Sequence, residues 1–316
     1  PEVVIGDLTA VEIERASAEV NDAAIDRTLD ILRKQRRTFT ERAAGEEATD
    51  GDRVTIDFDG SIDGERFEGG KAEDFQFLLG EGRMLEAFEK AVRGMKAGES
   101  KTFPLKFPDD YHGSDVAGKE ADFLVTLKKV EQQNLPVVDD AFAESLGITE
   151  GGVEGLRADI RKNLEREVKF RVAARNKQAV MDAIEKAVTF DLPKALVDAE
   201  VERLVANARA DLKQRGIKDA DKAPIPAERR VRLGLSLAEL VRANSLSATP
   251  DQLRAHIEEM AQSYERPQDV IAWYMGDQQR MAEVEAVVIE ANVTDFVLGQ
   301  AKVTDKVLGF DELMGA

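Results

Sequence analysis

The sequence predicts an α+β protein in two parts: a compact antiparallel β-sheet domain with one short helix, and an all-α domain of long helical hairpin arms. Three observations carry this. The 316 residues are about twice an ordinary domain of roughly 150 residues. Residues 46–131 hold 9 of the 18 aromatics and 11 of the 23 glycines, types that suit half-buried pleated surfaces and tight turns. The remainder is rich in Ala, Glu, Leu and Arg, with apolar residues at helical spacing, as long amphipathic helices require. The domains are therefore drawn at 1–45 (a linker strand and helix counted with the helical part), 46–131, and 132–316.

In chain order, residues 10–20 alternate loosely and read as a strand. Asn21 then caps a helix with Ile25, Leu29 and Leu32 on one face, running to about Arg37. Its basic end, Arg33, Lys34, Arg36 and Arg37, complements the helix dipole and reads as a solvated terminus, with nucleic-acid contact as the alternative. Residues 54–60 alternate as a strand, and Asp63-Gly64 supplies the left-handed residues of a hairpin turn. Further strands follow at 64–70 and 75–80, then a short amphipathic helix at 84–92. A turn at 94–99 leads to strand-like segments at 101–108 and 123–130.

Asn134-Leu135-Pro136 breaks the chain, and a short helix ends at Gly147 as its C′ residue. One long helix is expected over 153–188 from the stripe Leu156, Ile160, Leu164, Val168, Val172, Val180, Ile184 and Val188. Pro193 sits in the first turn of a helix stopping near Gly216, and Pro226 starts another reaching about Asn244. Thr249-Pro250 is an N-cap with proline at N1, and two more helices fill 265–276 and 277–299. The tail at 301–316 reads as short and mixed.

The charge is 44 − 62 = −18, which repels a phosphate backbone and argues against nucleic acid as a partner. There are no cysteines and only two histidines, His112 and His256. Cys-ligated metals, thiol catalysis and His-rich metal sites are excluded, and a Ser-His-Asp triad has few candidates. No apolar run approaches the roughly 18 residues of a membrane helix, and no secretory signal is visible. Pro1 follows a removed Met or starts a fragment. Near-matches to catalytic motifs fail on chemistry. Residues 64–71 resemble a phosphate-binding loop, but Lys71 is one place late and Ala72 stands where Ser or Thr would hold magnesium. Residues 59–70 resemble a calcium loop but end in Gly70 instead of a bidentate Glu.

What remains is the aromatic density. The words IDFDGSIDGERFEGG, FQFLLGEGRMLEAFEKAVRGMKAGE, FPDDYHG and DFLVTLKKVE span nearly all of 46–131. Their order and spacing resemble the FKBP-type peptidyl-prolyl isomerase domain. With the preceding strand and helix, and with GVEGLRADIRKNLEREVK and the helices after it, the whole chain resembles the bacterial trigger factor family without its N-terminal ribosome-binding domain. The resemblance implies an FKBP-like antiparallel sheet whose pocket is lined by Phe58, Phe67, Phe75, Phe88 and Phe123. Tyr111 would stand at the rim, Met84 and Leu85 beside the substrate proline, and Glu68 in place of a pocket carboxylate. Phe58 stands where the family usually has Tyr, and Phe88 where it usually has Trp. Phe77 is expected in the core under the sheet.

The implied activity is that of an ATP-independent chaperone and prolyl isomerase, needing no cofactor and no metal. Unfolded or nascent polypeptides would be its partners, in the cytoplasm, with the ribosome reached only through the N-terminal domain and with neither nucleic acid nor membrane involved. The chemistry agrees with the missing motifs. Rotation about a prolyl bond breaks amide resonance, and a dry apolar pocket favours the less polar twisted amide over the water-solvated planar one. Two alternatives are a holdase whose pocket binds without catalysis, favoured by the two substitutions, and a metal-responsive isomerase, disfavoured by the absence of a His- and Cys-rich tail. In the helical part, Met260, Met275 and Met281 are either adaptable client contacts or hairpin core.

Overall fold

In a computed structural model of the chain, describing residues 3–111, 113, 115–214 and 227–315, the alternating and helical patterns give two compact units. One comprises residues 1–22 and 161–316, the other 23–160. Pro1, His112, the expected helix stop near Gly216 and the expected start at Pro226 lie outside the described residues.

A 3₁₀ turn (Leu8–Ala10) precedes β1 (Glu12–Ser17), shorter than the expected 10–20. The helix α1 (Asp22–Gln35) follows Asn21 and buries Ile25 and Leu29. An unexpected four-residue strand, β2 (Thr38–Glu41), comes next. The hairpin β3 (Arg53–Ile62) and β4 (Glu65–Leu78) turns at Asp63 and Gly64, both at positive φ. The segments expected at 64–70 and 75–80 form one strand, bent where its register against β3 shifts and where Gly69 and Asp74 take φ of 80° and 53°. Such bulges increase local twist and make a long edge strand a poor template for other chains.

The short helix α2 (Glu86–Val92) leads into β5 (Ser100–Lys106) and β6 (Glu120–Asn134). The sheet order is β2-β6-β3-β4, with β5 also paired to β6. β6 is the axis. Along one side it pairs with β3, and along the other first with β5 and then, at its far end, with β2. Pro104 lacks an N–H and sits on β5, an edge strand, where a missing donor is tolerated. Val54, Ile56, Leu79, Val92, Leu105, Val125 and Leu127 are the largest fully buried side chains of the core under this sheet.

Helix α3 (Asp140–Ser145) is capped by Asp139, which accepts the Phe142 N–H at 2.9 Å, and closes at Gly147 with φ 89°. The stripe over 153–188 builds one helix, α4 (Gly152–Ala187). Its apolar residues recur every four positions, whereas the helix repeats every 3.6, so each step advances the stripe about 40° around the axis. Val168 and Ile184 thus lie about 160° apart and serve two separate cores. Val168 packs with Ala16, Leu308 and Leu313, while Val180, Ile184 and Val188 pack with Ile13, Leu240, Val293 and Val297.

The remaining helices are α5 (Lys194–Gln214), α6 (Ala227–Asn244), α7 (Pro250–Ala261), α8 (Pro267–Met275) and α9 (Gln278–Gln300). Ile257, Val284 and Val288 join α7 and α9 in a third core, against which Met260 and Met281 pack, whereas Met275 is half exposed. Thr249 and Gln252 exchange hydrogen bonds as a complete capping box at the start of α7. Thr249→Ala is expected to lower the stability of this unit by about 1 kcal/mol, seen as faster amide exchange in the first turn of α7.

The tail is not irregular. It forms β7 (Lys302–Val307) and α10 (Phe310–Met314), and β7 pairs in parallel with β1. On β1's other edge Asn176 takes both backbone groups of Ala16, accepting its N–H at 2.7 Å and donating to its C=O at 3.0 Å.

Candidate functional site

Phe123, on β6 and 3% exposed, is the hub of an aromatic cluster. Its ring centroid lies 4.8 Å from Phe88, 6.0 Å from both Phe58 and Phe67, 6.1 Å from Phe103 and 6.3 Å from Phe107. Most pairs are edge-to-face, the arrangement the ring quadrupole prefers. The hub exists because of Gly60. The two residues are register partners across β3 and β6, and a Cβ on Gly60 would come within 2.4 Å of the Phe123 ring. Gly70 makes the same room for Phe67, whose ring lies 2.9 Å from where a Cβ would stand. Gly60→Ala is expected to push the Phe123 ring aside, at about 1–3 kcal/mol of overpacking. The cost is read as a shift of the urea unfolding midpoint in a variant with native circular dichroism.

Sequence-expected residues fall into three groups. Phe88 and Phe123 are buried and form the floor. Phe58, Phe67, Met84, Leu85 and Tyr111 are half-buried against that core and form its accessible side. Phe75 is 37% exposed and touches the cluster only at its margin, 5.8 Å from Phe58 and 6.3 Å from Phe77. Glu68 stands exposed on β4, outside the ring contacts. Phe77 is buried in the core of the unit.

Three contributors were not singled out from sequence. Phe107 bridges Phe67 (5.9 Å) and Tyr111 (4.9 Å), so it ties the rim to the floor. The Phe-Pro-Asp-Asp-Tyr word that contains it was the available signal. Phe103 packs beneath Phe88 at 5.0 Å. Glu89 is 7% exposed, and its carboxylate accepts the Gly82 N–H at 3.0 Å from the loop that carries Met84 and Leu85. One of two Glu residues on a short helix gives no sequence sign of that contact.

The arrangement is an apolar wall, buried on one side and half-buried on the other with Tyr111 at its edge, of the kind that can take a small apolar group. Among the described residues no group of His, Cys, Asp and Glu could hold a metal ion. Two cavities of about 480 and 560 Å³ lie in the other unit, the first lined by α4, α5 and α6 and the second by the N-terminal segment, α6 and α9. In the first, Arg229 pairs with both Asp182 and Glu185, and Arg232 donates to the Phe190 carbonyl at 3.2 Å.

Fold and site together define a peptidyl-prolyl isomerase of the FKBP type, and the family model described as "FKBP-type peptidyl-prolyl cis-trans isomerase" matches residues 44–128. A second, described as "Bacterial trigger factor protein (TF) C-terminus", matches residues 152–299. Trigger factor of Leptothrix cholodnii is 76% identical over 323 residues, covering 100% of this chain and 74% of that protein. Trigger factor of Delftia acidovorans is 71% identical over 322 residues with the same two coverages. The chain belongs to the trigger factor family. It is a molecular chaperone and a peptidyl-prolyl cis-trans isomerase.

Proposed function

We propose that the aromatic cluster is the isomerase site and works by desolvation. The proline ring enters between Phe58, Phe67 and Tyr111 and rests on Phe88 and Phe123, while Met84 and Leu85 border the peptide. In water the planar amide is favoured because its carbonyl oxygen carries resonance charge that solvent stabilises. In the pocket that solvation is withdrawn, and the twisted amide, which has lost resonance, gains relative to it. No bond is broken and no proton moves, so no nucleophile, metal or titrating base is required. The observation that carries this reading is the continuous ring network about Phe123, buried on one side and accessible on the other.

Within the reading, the isomerase function belongs to 46–131, and client holding to 132–316 with 1–45. Tyr264, Trp273 and Met275 are at least half exposed on the α7–α9 segment. They offer apolar surface at about 25 cal/mol per Å² for unfolded or nascent polypeptides in the cytoplasm. Among the described residues no helix is long and apolar enough to cross a membrane. The net charge of −18 gives ribosomal RNA little to attract it.

A holdase reading is favoured by one observation, that Phe58 and Phe88 stand where the resemblance expects Tyr and Trp. A protease-coupled assay on a proline tetrapeptide separates the two. Acceleration of cis/trans exchange, lost on changing Phe88, is the expected result. Binding of the peptide without acceleration would overturn the desolvation mechanism and leave the holdase.

A further inference from the structure

The basic run at and just beyond the end of α1 reads in the sequence as a solvated helix terminus, yet Arg33 and Arg37 meet partners from elsewhere in the fold. Arg33 donates to the carbonyl of Pro136 at 2.9 Å. Arg37 forms a two-point ion pair with Glu81, with Nη1 to Oε1 at 2.5 Å and Nη2 to Oε2 at 3.3 Å. The two side chains are 14% and 29% exposed, so the pair is shielded well beyond an ordinary surface bridge. The Arg37 guanidinium holds the Glu81 carboxyl below the usual carboxylate range.

Glu81 lies in the loop 80–85, the segment that delivers Met84 and Leu85 to the aromatic site. Backbone bonds fix both ends of that loop. Leu79 donates to the Asp52 carbonyl and accepts from Gly51, and the Leu85 carbonyl accepts from Phe88 and Glu89. Between those ends, side chains hold it: Arg37 grips Glu81, and the buried Glu89 takes the Gly82 N–H. Gly80 and Gly82 at φ of 84° and 66° leave the backbone little stiffness of its own. Arg37 itself is anchored, with its guanidinium 5.8 Å from the Phe39 ring centroid on β2.

We infer that Arg37 is a positioning residue for the isomerase site: through Glu81 it fixes the loop 80–85 in its substrate-ready form. It does so from the link between α1 and β2, outside the segment 44–128 matched by the isomerase family model. This rests on the site reading above. A preorganised loop saves the ordering cost of substrate binding. It holds the peptide equally before and during rotation, so its loss raises KM and leaves kcat nearly unchanged.

The test uses the whole chain and a proline tetrapeptide. Arg37→Ala and Glu81→Ala are each expected to raise KM about fivefold, the scale of a charge-assisted two-point pair, with kcat within about twofold. The double variant should be no worse than either single one, and the exchanged pair Arg37→Glu with Glu81→Arg should recover at least about half of the loss. In both single variants the Gly82 amide should exchange faster while amides of β3 and β6 keep their protection. Unchanged KM, effects that multiply in the double variant, or general loss of protection in β3 and β6 would each overturn the proposal. Phe123→Ala in the same assay separates the two layers. If it abolishes turnover while Arg37→Ala leaves KM alone, only the positioning role fails. If it leaves turnover intact, the site reading fails and takes the positioning role with it.

Discussion

Phe123→Ala is expected to cut kcat/KM on proline peptides by at least about tenfold, equivalent to about 1.4 kcal/mol of transition-state stabilisation. The ring touches five other aromatic rings and is 3% exposed, so its removal opens the floor of the site. Water then reaches the prolyl carbonyl and restores the solvation that favours the planar amide. The same change costs about 3–5 kcal/mol as a core truncation, so turnover must be compared in variants shown to be folded by circular dichroism. Phe123→Leu supplies the control: it keeps most of the volume and loses the ring contacts. Its turnover should fall between the wild type and Phe123→Ala. Wild-type turnover in a folded Phe123→Ala chain would exclude the ring network as the catalytic wall.

Arg42→Ala should destabilise the unit spanning 23–160 by about 3 kcal/mol or more. Asp52 is 1% exposed, and its carboxylate accepts four hydrogen bonds. Two come from Arg42, at 2.7 and 2.9 Å, and two from the Thr49 backbone and hydroxyl, at 2.9 and 3.2 Å. Removing the guanidinium leaves a buried charge with only neutral donors. Replacing both members, as Arg42→Met with Asp52→Leu, should recover much of the loss because no charge is then stranded. Exchange of the β3 and β6 amides reports this unit directly, whereas the only tryptophan, Trp273, lies in the other. A loss below about 1 kcal/mol in Arg42→Ala would mean that the pair behaves as an exposed one.

These two sites differ in how far the sequence announces them. The strand words and the Asp63-Gly64 turn are local signals, with a period of two and a turn chemistry that few other structures use, so β3, β4 and β6 were readable. Phe58, Phe67, Phe88 and Phe123 could be grouped only through the resemblance to the FKBP-type domain, since each Phe alone reads as ordinary core; the structure brings their rings together. The Arg42–Asp52 and Arg37–Glu81 pairs were not readable. A charged residue on a strand or helix end looks the same whether it meets solvent or a carboxylate from elsewhere in the fold. Gly60 carried its meaning only once its register partner was known, since its lack of a side chain matters because Phe123 lies opposite. β2 and β7 escaped notice for a related reason. Each is a short segment stabilised by a distant partner, and nothing in four or six residues declares a pairing that far away.

The pairing of β1 with β7 sets a timetable for synthesis. Arg15 and Asp305, joined across that pair, are 290 residues apart in the chain. At about 5–20 residues per second, roughly 15–60 s separate the making of one from the other. The β3–β6 sheet is complete long before then, because its strands all lie between residues 38 and 134. During that interval β1 is a strand with neither edge partner: β7 does not exist, and Asn176 arrives only midway. Its sequence, Glu-Ile-Glu-Arg-Ala-Ser, places three charges in six residues. Charge on an unpaired strand discourages pairing with neighbouring chains, so the segment is built to wait. A chaperone thus has an unpaired strand of its own, protected by its sequence until residues 302–307 arrive.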